Sequence, residues 1–139
     1  MKFTRKASAN WKGPGKTGKG TLSSTSKVLN NTPYSFSTRF EDEPGTNPEE
    51  LVGAAHAGCF TMQLSFVIGE EGFTPDELET QADVTFEDGN VTNIHLTLKG
   101  KVPGMDKDKF EKAANKAKEI CPISKLLNAK ITLSANLED

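Results

Sequence analysis

The stretch from Thr46 to Ile68 constrains the fold of this chain more than any other, because it predicts one long helix that is apolar on nearly every side. Thr46 or Asn47 can cap its free backbone N–H groups, Pro48 suits the first helical position, and the two glutamates that follow can complete a capping box. Gly69 is a natural stop. Because few polar side chains interrupt the helix, we expect it to be buried on most sides by a sheet or by a second subunit.

A membrane-spanning helix is the alternative for an apolar stretch of this length. His56, Thr61 and Gln63 interrupt the apolar run, however, and acidic residues flank both of its ends. We therefore interpret the stretch as a core helix and expect no membrane association. The basic N-terminus is not followed by the apolar segment of a signal peptide, so the prediction is a cytoplasmic protein.

The size and charge of the chain exclude several classes of protein. Its 139 residues predict a single domain, residues 1–139, without a separate cofactor-binding domain. A net charge of −2 with 26% charged residues gives no basic excess, so we expect no nucleic-acid partner. The chain has 2 cysteines, and in a cytosolic protein their pairing would be transient and redox-linked.

The remaining segments predict an α+β fold rather than alternating βαβ units. Residues 91–101 alternate clearly, with Ile94, Leu96 and Leu98 on the side that we expect to be buried. Residues 106–120 have apolar positions at helical spacing, namely Phe110, Ala113, Ala114, Ala117 and Ile120. About six strands and two long helices are predicted in total. The other predicted elements are strands at 3–11, 21–28, 78–87 and 129–137, an extended segment at 34–40 and a short helical turn at 124–127.

Each cysteine lies on the apolar side of a predicted helix. Both helices need the same sheet to cover them, so Cys59 and Cys121 can meet, although a buried cysteine is often only a small core residue. A reactive thiolate requires a nearby cation or a helix N-terminus, and Cys59 lies too deep in its helix for the latter. Arg39 is the candidate cation. Its alternative role is a surface ion pair with Glu41 or Asp42.

Glu49 has two possible roles in this pattern. It can cap the long helix, or it can hold the guanidinium of Arg39. The rise along a straight helix keeps Glu49 away from Cys59 of the same helix. If Glu49 contributes to the thiol site, it must therefore act through Arg39 or from another subunit.

A metal site is a further alternative. His56 and Cys59 are three positions apart, a spacing that can bind zinc, and Cys121 or His95 could complete the ligand set. No second paired motif accompanies them, and His95 lies on the polar side of its strand. The prediction is therefore a protein without a metal or another cofactor.

The motif Gly-Thr-Asn-Pro-Glu-Glu-Leu-Val-Gly-Ala-Ala-His-Ala at residues 45–57, followed by Cys59-Phe60 and later by Cys121-Pro122, closely resembles the OsmC/Ohr family of thiol peroxidases. The resemblance is to the OsmC-like branch of osmotically inducible proteins, because the Ohr branch usually carries an aromatic residue where His56 stands. It implies an OsmC-like fold with two long buried helices and an intertwined homodimer with active sites at the interface. It also implies a peroxidase that reduces organic hydroperoxides, and hydrogen peroxide less well, in oxidative or osmotic stress defence.

The resemblance also implies a role for each candidate residue. Cys59 would be the peroxidatic thiolate and Cys121 the resolving thiol, with a disulfide between them in the catalytic cycle. Arg39 and Glu49 would form the polar pair around the site. In the Ohr branch the essential arginine comes from the first hairpin, where this chain has lysines such as Lys16, so a lysine remains an alternative to Arg39.

Completion of such a cycle requires an external dithiol, which in this family is typically a lipoylated protein. The expected partners are therefore a second copy of the chain, an organic hydroperoxide and this reductant. The alternative is a non-catalytic dimeric stress protein that binds a small apolar ligand and has structural cysteines.

Overall fold

The computed structural model describes residues 1–139, which divide into two compact units, residues 1–51 and 52–139. The architecture is α+β with six strands, as predicted. The single domain over residues 1–139 stays a prediction. The elements are β1 (Ala7–Lys12), β2 (Lys19–Ser24), β3 (Thr32–Tyr34), α1 (Phe36–Phe40), α2 (Pro48–Glu70), β4 (Glu77–Glu87), β5 (Asn90–Lys101), α3 (Lys107–Ile120), α4 (Pro122–Leu126) and β6 (Lys130–Leu137).

The first unit contains an antiparallel sheet with the order β1-β2-β3. Gly20 of β2 is paired with Trp11 on one side and Tyr34 on the other, and the two rings pack with centroids 5.5 Å apart. A Cβ at this position would lie 2.5 Å from an atom of each ring. The close approach of the rings therefore requires glycine at position 20.

The predicted extended segment at 34–40 is wrong from Phe36 onward, because residues 36–40 form α1. Ser35 and Thr38 form a capping box: the Ser35 hydroxyl accepts the Thr38 N–H, and the Thr38 hydroxyl accepts the Ser35 N–H. This reciprocal pair satisfies two backbone donors and starts a helix where the polar alternation indicated a strand. Arg39 therefore lies in the last turn of a short helix.

Helix α2 begins at Pro48, as predicted, and Asn47 caps it by accepting the Glu50 N–H at 2.7 Å. It continues through Gly69 to Glu70, beyond the predicted stop. A turn closes the helix end, where the Phe73 N–H bonds to the Ile68 carbonyl.

The burial of α2 follows one stripe and not the whole helix. The buried positions recur at helical spacing: Gly53, His56, Phe60, Leu64, Val67 and Ile68. Met62 and Phe66 on the opposite face are 65% and 63% exposed. The expectation of burial on most sides is thus wrong for a single chain. Length and composition alone would allow α2 to span a membrane, but its buried stripe identifies it as a core helix of the second unit.

The second unit is built on a sheet with the order β4-β5-β6. Strands β4 and β5 are antiparallel and are joined at Asp88 and Gly89, which both have positive φ, as suits a tight hairpin. Strands β5 and β6 are parallel, with α3 and α4 in the connection. The predicted inward side of β5 is confirmed, because Ile94, Leu96 and Leu98 are fully buried.

Helix α3 packs on this sheet at Gly100, where an added Cβ would clash with the Phe110 ring. The predicted apolar positions of α3 are buried except for Ile120, which is 38% exposed. Cys121, the next residue, is fully buried. The apolar stripe of α3 therefore leads directly to one of the two cysteines.

Candidate active site

The two cysteines lie together in the second unit. Cys59 is in the middle of α2, and Cys121 follows the last residue of α3. Their Sγ atoms are 3.0 Å apart, and both are free thiols. This arrangement brings together two residues that are 62 positions apart in the chain. Because a disulfide has an S–S bond of about 2.0 Å, a shift of roughly 1 Å would join them.

The position of Cys121 depends on the proline after it. Pro122 cannot continue α3, and the residue before a proline is disfavoured in the helical region, so Cys121 has φ −57° and ψ 123°. Its N–H still bonds to the Ala117 carbonyl, which holds it at the end of α3. Cys121 is buried, whereas Cys59 is partly exposed. Of the two thiols, Cys59 is therefore the one that a solute can reach.

The pKa of the Cys59 thiol is raised above its ordinary value. Burial is the largest cause, and the hydrogen bond with the Cys121 thiol adds to it. A hydrogen bond from the Ile123 backbone N–H acts in the opposite direction and lowers this pKa. No cationic side chain is among the influences on this thiol. The second unit alone thus brings the sulfurs together without favouring the thiolate.

Arg39 and Glu49 form an ion pair within the first unit. The Arg39 Nε donates to Glu49 Oε1 at 2.6 Å, between the last turn of α1 and the first turn of α2. Asn47 supports this geometry by donating from Nδ2 to the Thr38 carbonyl. The side chains of Arg39 and Glu49 are 37% and 16% exposed. The predicted pairing of these two residues is therefore present in the fold.

One oxygen of the Glu49 carboxylate has no hydrogen-bond partner. Glu49 Oε2 is buried and accepts no hydrogen bond, although a carboxylate oxygen ordinarily accepts more than one. Glu41, which the sequence offered as an alternative partner of Arg39, accepts a hydrogen bond from Ser37 instead. The ion pair thus has an unused acceptor.

The alternative lysines lie elsewhere in the first unit. Lys16 and Lys19 line a groove of about 820 Å³, together with Tyr34, Ser35 and Thr38. The Lys16 ammonium is 6.0 Å from the centroid of the Phe36 ring. A lysine and Arg39 are therefore both supplied by the first unit.

His56 is fully buried one turn before Cys59. Its Nε2 lies 2.7 Å from the Ser124 hydroxyl of α4, while its Nδ1 is buried without a hydrogen-bond partner. Burial lowers the pKa of His56, since the charged ring would lose its hydration. Sequence reasoning missed Ser124, whose only signal was its position two residues after Pro122.

The metal-site alternative lacks a ligand set in this structure. No group of three or more His, Cys, Asp and Glu side chains is arranged to hold an ion. His56 is engaged with Ser124, and the ring nitrogens of His95 contact the hydroxyls of Thr132 and Ser134. The spacing of His56 and Cys59 on α2 therefore brings no third candidate ligand with it.

Comparison with known proteins identifies the family. The model of the OsmC family, described as OsmC-like protein, matches residues 40–136. This chain belongs to the OsmC-like family. Peroxiredoxin OsmC of Escherichia coli K12 is 49% identical to it, over 99% of each chain. The crystal structure of the organic hydroperoxide resistance protein OhrB of Bacillus subtilis superposes with a TM-score of 0.66 at 29% identity, over 98% of each chain.

The fold of this OsmC-like protein recurs at much lower sequence identity. The crystal structure of an OsmC-like protein from Mycoplasma pneumoniae superposes with a TM-score of 0.79 at 13% identity, over 100% of each chain. The family and the fold class predicted from the motif at residues 45–57 are therefore confirmed.

Proposed function

We propose that this OsmC-like protein is a cysteine-based peroxidase that reduces organic hydroperoxides, and hydrogen peroxide less well, to alcohols and water. The observation that carries the proposal is the 3.0 Å approach of a partly exposed thiol, Cys59, to a buried one, Cys121. The names of the relatives support the reaction class, since one is a peroxiredoxin and another an organic hydroperoxide resistance protein.

The first step is oxidation of Cys59. Its thiolate attacks the distal oxygen of the hydroperoxide, the O–O bond breaks, and the alkoxide that leaves takes a proton to become the alcohol. Cys59 is left as a sulfenic acid. Cys59 packs against the apolar core of the second unit, and apolar surroundings of this kind suit a substrate with an organic tail.

The second step is formation of the disulfide. The Cys121 sulfur attacks the sulfenic sulfur of Cys59, the S–O bond breaks, and water leaves with the thiol proton. Burial of Cys121 keeps it away from bulk peroxide, so it reacts with Cys59 and not with substrate. An external dithiol then reduces the disulfide by thiol–disulfide exchange. We propose a lipoylated protein in the cytoplasm for this role.

The first step requires a cation beside Cys59, because burial raises the pKa of that thiol. We assign this role to Arg39, with Glu49 as the residue that orients the guanidinium. The Arg39 charge would stabilise the thiolate and donate hydrogen bonds to the peroxide oxygens. Lys16 is the alternative cation in the first unit.

A second copy of the chain completes the proposed site. The outward side of α2 has large apolar side chains in solvent, Met62 and Phe66, and Leu126 of α4 is 73% exposed. Large exposed apolar side chains of this kind are typical of a subunit interface. We propose a homodimer with two sites at the interface, in which the outward side of α2 is covered by the partner subunit.

The proposal is tested by free-thiol titration and intact-mass analysis before and after one equivalent of cumene hydroperoxide. The wild-type protein should lose both thiols and about 2 Da as the disulfide forms, whereas Cys121→Ser should gain one oxygen on Cys59. Cys59→Ser is the matched control and should remain unmodified. If both wild-type thiols survive, the protein is instead the non-catalytic ligand-binding dimer with structural cysteines.

A further inference from the structure

The contact between His56 and Ser124 has no role in the two chemical steps above. It joins α2 to α4 across 68 positions of sequence, with Nε2 and Oγ 2.7 Å apart, and the ring is completely buried. A buried histidine that keeps one nitrogen without a partner carries an energetic penalty, so the fold sustains it at a cost. Because His56 lies one turn before Cys59, its role is expected in the geometry around the Cys59 sulfur.

Ser124 belongs to a short segment, residues 121–124, that contacts Cys59 in two ways. The Cys121 thiol lies 3.0 Å from the Cys59 sulfur. A backbone hydrogen bond from Ile123 lowers the pKa of the Cys59 thiol. The segment starts at the break between α3 and α4 that Pro122 imposes. Helix α4 has 5 residues, and a helix this short depends on tertiary contacts to stay in place.

We propose that His56 is a positioning residue for the reaction of Cys59. Its hydrogen bond to Ser124 holds residues 121–124 in place, so that the Cys121 thiol and the Ile123 N–H both face the Cys59 sulfur. The inference rests on the proposed function and adds a residue to it. His56 touches neither substrate nor the reacting sulfurs in this role. It acts on them through α4, which begins at the break that Pro122 imposes.

Two measurable properties of Cys59 depend on this hydrogen bond. The rate of disulfide formation depends on how often Cys121 is within reach of the sulfenic sulfur. The pKa of the Cys59 thiol depends on the Ile123 N–H, which favours the thiolate. A hydrogen bond that only stabilised the fold would change neither property.

The test compares Ser124→Ala with Ser124→Thr in a stopped-flow and rapid-quench experiment with cumene hydroperoxide. Ser124→Ala should accumulate the Cys59 sulfenic acid, because disulfide formation slows by about tenfold when one buried hydrogen bond is lost. Ultraviolet absorbance of the thiolate, measured in a Cys121→Ser background, should show a higher Cys59 pKa. Ser124→Thr keeps the hydroxyl and should restore both properties.

The matched control is Thr61→Val. The Thr61 hydroxyl also joins α2 to another element, by a 2.7 Å hydrogen bond to the Thr80 hydroxyl of β4, but it does not reach residues 121–124. Its loss should lower stability by a similar amount and leave the rate of disulfide formation unchanged. If Thr61→Val slows that step as much as Ser124→Ala, general loosening explains the effect and the proposal is wrong.

A second variant, His56→Phe, removes the same hydrogen bond from the other side with a ring of similar shape. It should slow disulfide formation like Ser124→Ala, and the double variant should be no slower than either single one, since both break one interaction. Wild-type rates in His56→Phe would overturn the proposal even if Ser124→Ala fails to fold. If the wild-type protein keeps both thiols after treatment with cumene hydroperoxide, the proposed function itself is refuted.

Discussion

The Cys59–Cys121 centre and the Arg39–Glu49 pair are built in different ways. The cysteines are brought together over 62 positions by regular elements of the second unit, and their inner member is fully buried. The ion pair spans 10 positions, joins the last turn of α1 to the first turn of α2 and is partly exposed. Long-range packing thus fixes the sulfurs, whereas local capping fixes the charges.

Each region also lacks a group that the other one has. The pKa of the Cys59 thiol is raised by burial, and no cation offsets this. The first unit has a cation and a buried carboxylate oxygen without a partner, but no cysteine. The proposed two-cysteine cycle requires both a close pair of thiols and a stabilised thiolate. Neither region is sufficient alone, and the following experiments separate their contributions.

The largest effect should come from Cys59→Ser. Without this thiolate no sulfenic acid forms, so peroxide consumption in the presence of excess dithiol should fall to the level of the buffer. Cys121→Ser is the informative partner, because it should still consume one equivalent of hydroperoxide in a single turnover. Steady-state turnover retained by Cys59→Ser would remove the cysteine centre from the mechanism.

Arg39→Met should slow the first step by about a hundredfold, the size typical for removal of one preorganised donor from a charge-stabilising site. Disulfide formation, which depends on the second unit, should keep its rate once the sulfenic acid has formed. The measurement is single-turnover kinetics followed by intact mass at each time point.

Lys16→Met is the matched control for Arg39→Met, since Lys16 is the alternative cation of the same unit. It should leave the first step within about twofold of the wild-type rate. The opposite pattern, with Lys16→Met slow and Arg39→Met normal, would transfer the activating charge from α1 to the first hairpin.

Glu49→Gln should have a smaller effect, a slowing of the first step by about tenfold. Glutamine keeps the shape and an acceptor for the Arg39 Nε but loses the charge that fixes the guanidinium. Glu50→Gln controls for the change in helix charge, because Glu50 lies beside Glu49 in the same turn and bonds to Thr46 instead. Equal effects of the two variants would reduce Glu49 to a capping residue.

Gly20→Ala should disturb the packing of β1, β2 and β3 just before α1, without changing Arg39 or Glu49. The new Cβ would lie 2.5 Å from the rings of Trp11 and Tyr34, and Tyr34 leads directly into the Ser35 cap of α1. We expect a loss of about 1–3 kcal/mol in the free energy of unfolding, measured by urea denaturation. Gly15→Ala, where a Cβ meets open space, should change stability little.

Much of the second unit could be predicted from the sequence because its signals are periodic. The alternation in β5 and the helical spacing in α3 each report burial directly, so the burial of Ile94, Leu96 and Phe110 was predicted correctly. Cys121 is buried as predicted, whereas Cys59, which was also predicted to be buried, is partly exposed. The exposed side of α2 was predicted to be buried, since an apolar helix does not reveal which of its faces is covered by its own chain.

The first unit was harder to predict because short polar segments carry no period. Residues 36–40 were read as extended, and the reciprocal bonds of Ser35 and Thr38 decide for a helix instead. The His56–Ser124 contact was missed for a related reason, because neither segment has a sequence pattern that indicates the other as its partner. The resemblance to the OsmC/Ohr family supplied the proposed roles of Cys59 and Cys121, whereas the contacts around them became visible only in the folded structure.

The smallest expected effect concerns pH and again separates the two regions. Burial lowers the pKa of His56, so the unfolded chain binds a proton near the ordinary value of 6.5 while the folded ring stays neutral to lower pH. Below that value the unfolded state binds more protons, and the free energy of unfolding must fall as the pH drops from 6.5 toward the folded pKa of His56. Above that value the contribution is fully present.

His56→Phe should flatten this part of the pH dependence, whatever it does to stability at neutral pH. Urea denaturation at closely spaced values between about pH 7.5 and pH 5.5 measures the slope, to which carboxylates contribute little in this range. The Arg39–Glu49 pair should therefore leave the slope unchanged, and Glu49→Gln is the control. A slope that survives in His56→Phe would mean that another group senses the pH, and that the buried ring of the cysteine centre is not the acid-sensitive element of the fold.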